Sequence, residues 1–152
     1  MKHSKLLRAA ALAAFSLLLA APPVSAVDVF ERSQPNGDFR LVILLRSDTD
    51  RDKDGNNDTA THGDRLFESV GVDRNFDRQQ VVQYEGTVDR PGTEFDEQFS
   101  GSADLTSFSG EGVFFAQSKV TKKWGTGPYT ITINAVSNTG DTATASGTIT
   151  IH

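Results

Sequence analysis

The chain has 152 residues, 15 basic and 20 acidic, and no cysteine. That length suits a leader followed by one domain. Without cysteine there is neither a disulfide framework nor thiol chemistry, and the acidic balance weighs against nucleic acid or anionic membrane as a partner.

Residues 1–26 read as a secretory signal peptide. Lys2, Lys5 and Arg8 open it, Ala9 to Ala21 is apolar apart from Ser16, and Val24-Ser25-Ala26 supplies the small residues of a cleavage site. The apolar run falls short of the roughly 20 residues that span a bilayer. Cleavage before Val27 removes three basic residues and leaves 12 against 20 acidic ones, a net charge of −8. The longest later apolar run is Leu41 to Leu45, so no membrane span is expected after cleavage. The expected product, residues 27–152, is secreted or periplasmic, and its core must hold without disulfides.

Val27 to Glu31 is a weak strand candidate. Phe39 to Arg46 is a nearly continuous apolar run, the pattern of a strand covered on both faces. Pro35-Asn36-Gly37 between them is turn chemistry.

Next comes Asp48-Thr49-Asp50-Arg51-Asp52-Lys53-Asp54-Gly55-Asn56-Asn57-Asp58, with five aspartates in eleven residues. From Asp50 the spacing is D-x-D-x-D-G-x-x-D. It resembles the calcium loops of EF-hands, dockerins and thrombospondin type 3 repeats. Calcium takes six to eight oxygen ligands, and alternate aspartates on a curling loop can converge on one ion. The resemblance implies Ca2+ held by Asp50, Asp52, Asp54, the Asn56 carbonyl and Asp58, with Gly55 at the sharp turn. The twelfth position, a bidentate Glu in EF-hands, is Thr61, and Asp64 stands three residues further as a substitute. The flanks look like strands, so the segment 48–64 reads as an insertion in a β domain and not as a helix-loop-helix unit. The plain alternative is a solvated acidic loop, its charge partly neutralised by Arg51, Lys53 and Arg65. Against that alternative, five crowded carboxylates repel one another, and a cation relieves the repulsion.

Leu66 to Val72, Gln80 to Val88, Phe95 to Gly101 and Gly112 to Lys123 are further strand candidates, separated by Pro91-Gly92 and Gly110. The aromatics of this middle region belong mostly to the core. Trp124 is either an exposed ring in a sugar-binding platform or a plug at the end of the domain. Tyr129, Ile131, Ile133 and Ala135 alternate with Thr130, Thr132 and Asn134. After Ser137-Asn138-Thr139-Gly140-Asp141, the run Thr142 to Ile151 alternates strictly, with Ala143, Ala145, Gly147, Ile149 and Ile151 on one face. A period of two flanking a turn predicts a hairpin of half-buried strands.

This ending, from Gly127-Pro128-Tyr129 through Asn138-Thr139-Gly140-Asp141 to Thr148-Ile149-Thr150-Ile151, resembles the last two strands of bacterial immunoglobulin-like domains. The resemblance implies an all-β immunoglobulin-like sandwich of about seven to eight antiparallel strands. It implies little about function.

No catalytic constellation stands out. Residues 27–152 contain two histidines, His62 beside the acidic loop and His152 at the end, and no nucleophile-elbow pattern. The functional expectation is a secreted, non-enzymatic, calcium-binding immunoglobulin-like domain with a structural, adhesive or binding role. Its expected partners are the calcium ion and a cell-surface or extracellular protein or glycan. The alternatives are a carbohydrate-binding module, with Trp124 in its platform, and a small secreted hydrolase or hydrolase inhibitor.

Overall fold

The computed structural model describes residues 27–50, 53, 57–74, 80–92, 96–105 and 111–152. The leader, residues 1–26, lies outside them. Nine strands are formed: β1 Val27–Arg32, β2 Phe39–Ser47, β3 Thr59–Ala60, β4 Arg65–Arg74, β5 Gln80–Asp89, β6 Glu97–Leu105, β7 Glu111–Lys119, β8 Gly127–Ser137 and β9 Thr142–Ile151. Among the described residues the only helical element is a 3-10 turn at Lys122–Trp124.

Two sheets form a β-sandwich. One has the order β1-β2-β4-β7 and the other β3-β9-β8-β5-β6. Every pairing is antiparallel except β3 with β9, which run parallel over Thr59↔Thr150 and Ala60↔Ile151. The chain hairpins within a sheet at β1–β2, β5–β6 and β8–β9 and crosses between sheets at β2 to β3, β3 to β4, β4 to β5, β6 to β7 and β7 to β8.

The alternation in the sequence sets the inner faces. Tyr129, Ile131, Ile133 and Ala135 of β8 face inward with Ala143, Ala145, Ile149 and Ile151 of β9. Opposite them stand Phe39, Leu41, Ile43 and Leu45 of β2, all fully buried, and Leu66, Val70 and Val72 of β4. One contiguous cluster results, which is how a domain of this size is stabilised without disulfides.

Eight strands match the expected candidates, and β3 is the addition. It falls inside the 48–64 insertion, where two residues carry too little pattern to read. The fifth candidate, Phe95 to Gly101, is displaced: β6 begins at Glu97 and runs to Leu105. The two-sided burial expected of Phe39 to Arg46 holds only in part. The outward side chains of β2 are exposed Arg40, buried Val42, and half-buried Leu44 and Arg46.

At the β6–β7 edges, aromatic rings close the sandwich. Phe99 stacks on Phe114 with centroids 4.8 Å apart, and its ring lies over the backbone of Gly86, its cross-strand partner. Tyr84 covers Gly101 in the same manner. A glycine under a ring gives up side-chain packing so that the aromatic can lie flat on the strand. Between Val70 and Gly71 the register against β7 slips at a bulge, which turns both Val113 and Phe114 toward the core.

Candidate functional site

The acidic segment leaves the sandwich at one end, between β2 and β3, and its neck is closed. Ser47 N donates to Asn57 O at 2.9 Å, and Asn57 Nδ2 donates back to Ser47 O at 2.8 Å. Asp48 N donates to Arg65 O at 2.8 Å, while Arg65 N donates to Asp48 Oδ1 at 2.9 Å. The ends of the segment are therefore held by β2 and β4, two strands of one rigid sheet.

Within it, Lys53 N donates to Asp50 Oδ1 at 2.8 Å, and Lys53 sits at φ 58°. A side-chain acceptor three residues back and a left-handed residue turn the chain on itself. Asp58 O accepts from Thr150 N at 3.0 Å, which fixes the far end of the segment against β9. Of the expected ligands, Asp50 and Asp58 are thus placed, whereas Asp52, Asp54 and Asn56 lie outside the described residues. Among the described residues no three carboxylate or imidazole side chains converge as a metal site.

Asp64 serves the fold. It is 3% exposed, its Oδ2 accepts from Thr61 N at 2.9 Å, and its backbone O accepts from Val120 N at 2.9 Å. It closes the turn into β4 and joins that turn to the end of β7. Thr61 belongs to the same turn.

Two oxygens in the neck are conspicuous. Asn57 Oδ1 and Thr59 Oγ1 are both buried and make no hydrogen bond among the described residues. Asn57 is 8% exposed as a whole. A buried amide oxygen without a donor carries a desolvation cost that a cation or donor would offset.

The same end of the sandwich is plugged by aromatics. Trp124 is buried, stacked on Tyr129 at 5.6 Å and 12° between planes. The Arg90 guanidinium lies 5.5 Å from the Trp124 ring centre and 6.0 Å from that of Tyr129, and bonds Glu97 Oε2 at 2.9 Å. Of the two placements open to Trp124, the structure takes the plug, so no sugar platform is built on it.

Beneath that plug lies Glu68, on the inner face of β4 in phase with Leu66, Val70 and Val72, and fully buried. Neither carboxyl oxygen, nor the Tyr129 hydroxyl, completes a hydrogen bond among the described residues. Burial pushes the Glu68 carboxyl above its ordinary range, against the pull of the neighbouring Tyr129 and Ser118 hydroxyls and the Arg90 charge. Burial, followed by the nearby Glu68, drives the Tyr129 hydroxyl up as well.

At the opposite end, a second carboxylate shows the reverse behaviour. Asp141, fully buried in the β8–β9 turn, accepts from Ser33 Oγ at 3.0 Å and Asp38 N at 2.9 Å on Oδ2. On Oδ1 it accepts from Asn36 N at 3.2 Å and Asn36 Nδ2 at 2.8 Å. Burial alone would raise its pKa. The Asp38 and Asn36 backbone donors, then the Ser33 hydroxyl and the Asn36 amide, outweigh that and hold the carboxyl below the usual range. It staples the β1–β2 connection to the last hairpin, beside the reciprocal Gln34–Thr142 backbone bonds of 2.8 Å.

Two depressions on the outer face of the five-stranded sheet, of about 370 and 660 Å³, share Glu85 as their one carboxylate and hold no histidine. His62 and His152 are exposed and carry no hydrogen-bonding role in either. The sequence reading missed Asn57, Glu68 and Asp141. Only Glu68 was signalled, by its place in a period of two. No protein-family model matches this chain, and no curated protein matches it in sequence.

Proposed function

We propose that the chain is a secreted, non-enzymatic β-sandwich of the immunoglobulin-like kind that binds one Ca2+ in the acidic segment and serves as a structural, adhesive or binding unit. The observation that carries the proposal is the neck of that segment. It is pinned to two strands on one side and to β9 on the other, and it holds a buried Asn57 Oδ1 with no donor among the described residues. A solvated acidic turn has no need of such anchoring. The donor set fits a hard cation: Asp50, Asp52, Asp54 and Asp58 carboxylates, the Asn56 carbonyl, and Asn57 Oδ1 as a further oxygen that the spacing did not suggest. Bound calcium would neutralise charge that otherwise repels across a short segment.

The immunoglobulin-like reading is supported by the repeated crossings between the two sheets and by the β8–β9 hairpin beside β5.

Without a bidentate twelfth-position Glu, affinity is expected at the extracellular end of the calcium range, about 10⁻⁴ to 10⁻³ M. Ligand present at ten to a hundred times that value stabilises the folded state by about 1–3 kcal/mol. Calorimetric titration of chelator-treated protein should show one site. Asp50→Ala and Asp54→Ala should abolish the Ca2+-dependent rise in melting temperature, while Asp104→Ala should keep it. Identical melting in excess chelator and in millimolar calcium would overturn the proposal.

A further inference from the structure

Asn36 and Gly37 lie in the connection from β1 to β2, outside the ladders of both sheets. The fold asks for each of them. Asn36 supplies two donors to one oxygen, its N at 3.2 Å and its Nδ2 at 2.8 Å from Asp141 Oδ1. Gly37 sits at φ 71°, and a Cβ there would stand 2.9 Å from Arg32 Cδ. Left-handed backbone and lack of room together select glycine. The Asp141 staple therefore places a glycine directly after an asparagine, and this is the one such pair in the chain.

That pair has chemistry of its own. The amide carbon of an asparagine is electrophilic, and the backbone nitrogen of the next residue can close a five-membered ring on it. A side chain on that next residue hinders the closure, and glycine has none. Gly37 N forms a bond to Asn36 Cγ and gives its proton to water. The Cγ–Nδ2 bond breaks, and the amide nitrogen leaves as ammonia. Water then opens the cyclic imide. Opening at Cγ leaves aspartate, and opening at the main-chain carbonyl leaves isoaspartate. Only water is consumed, and nothing is oxidised or reduced. Asn36 is exposed, so water has access to it. Asn57 is buried and precedes Asp58, Asn134 lies within β8, and Asn138 is exposed in a turn but precedes Thr139.

Modification here would not be silent. Asn36 borders two buried carboxylates, Asp141 and Asp38, the latter 5% exposed and accepting from Thr139 Oγ1 at 2.8 Å. Replacing Nδ2 by oxygen turns a donor to Asp141 Oδ1 into a third negative group at the same spot, where like charges repel. The basic side chain against this turn is Arg32, whose stem covers Gly37. Isoaspartate does more. It adds a methylene carbon to the main chain between Asn36 N and Asp38 N, the two backbone donors that grip Asp141 on its two oxygens. Their spacing then no longer matches a single carboxylate.

We propose that Asn36 is a site of spontaneous deamidation, and that its conversion to aspartate and isoaspartate releases the β1–β2 connection from Asp141. The domain thereby carries a built-in loss of stability with age. The inference is independent of the calcium reading, because this turn lies at the end of the sandwich opposite the acidic segment.

The test is incubation of the exported chain for weeks at neutral pH, with peptide mapping by mass spectrometry for loss of the amide and enzymatic methylation for isoaspartate. Asn36 should convert at least about tenfold faster than Asn138, the exposed turn asparagine without a glycine after it. The converted fraction should melt about 5–10 °C below fresh protein, the scale of one lost hydrogen bond to a charged group. Asn36→Asp should melt low from the outset, and Asn36→Ser should show no drift with time. If Asn36→Asp does not fold, the aged parent still decides. An Asn36 amide that survives the incubation overturns the proposal. So does conversion at Asn138 as fast as at Asn36, converted protein that melts with the fresh, or an equal drift in Asn36→Ser.

Discussion

Asp141→Ala should unfasten the two ends of the chain from each other. The carboxylate accepts four hydrogen bonds, two of them in buried surroundings, from Ser33 Oγ and Asp38 N. Hydrogen bonds to a charged group contribute about 1.5–3 kcal/mol each, and donors left buried without an acceptor keep their desolvation cost. The Asn36 donors are only partly buried and can turn to water, so the expected loss is about 3–5 kcal/mol, drawn mainly from the two buried bonds. Against a total stability of roughly 5–15 kcal/mol this is a large share. At about 3–5 °C per kcal/mol for a domain of this size, the melting temperature should fall by roughly 10–20 °C. Asp141→Asn should lose nearly as much, since one oxygen becomes an amide facing a donor. The pH dependence follows from the lowered pKa. The stabilisation is complete above the ordinary carboxylate value, near 4, and is lost as pH falls through the lower folded value. Melting curves of parent and variant should therefore be far apart at pH 7 and draw together in strong acid. A variant melting within about 2 °C of the parent at pH 7 would refute the reasoning, because it would mean the buried donors find other partners.

Glu68 should act in the opposite direction. Folding raises its pKa, so stability falls as pH climbs from the ordinary Glu value, about 4.3, toward the folded value. Glu68→Gln should remove that decline, leaving urea midpoints close to the parent's near pH 4 and higher at pH 8 by the equivalent of about 1–2 kcal/mol. A variant less stable than the parent at pH 8 would show that the charge is held by partners. Gly86→Ala should cost about 1–3 kcal/mol, because the added methyl meets the Phe99 ring, itself backed by Phe114. Gly112→Ala, with nothing within 4 Å of the added carbon, should be neutral or slightly stabilising in the same denaturation assay.

What the sequence made legible follows from range. Strict alternation in Thr142 to Ile151 is a local signal, and it placed Ile149 and Ile151 on the buried face, where both are 1% exposed. The same period, applied to Leu66 through Val72, puts Glu68 on the inner face. Its neighbours Tyr129, on β8, and Arg90, just past β5, come from distant parts of the chain, so the carboxyl's environment could not be read with it. Asp141 was legible as a turn residue, yet its donors stand over 100 positions away in the chain, where no local pattern connects them. The anchoring of the acidic segment is hidden for the same reason, since Asp48 is held by Arg65 and Asp58 by Thr150.

The run Phe39 to Arg46 shows where such reading stops in principle. An apolar residue at every second position demands one covered face, and β2 obeys with Phe39, Leu41, Ile43 and Leu45. Apolar residues at the intervening positions demand a second cover, but sequence cannot say what supplies it. In a parallel sheet the second cover is a helix layer from the same chain. Here Val42 is fully buried and Leu44 half-buried, and the neighbouring strands add Phe30, Phe67 and Phe115 to the same face. On the other sheet the outward positions of β8 and β9 pair Thr130 with Thr148 and Thr132 with Ser146 through their hydroxyls. The two outer faces therefore differ in composition because of which strands lie side by side, and that pairing is not written in the period of any one strand.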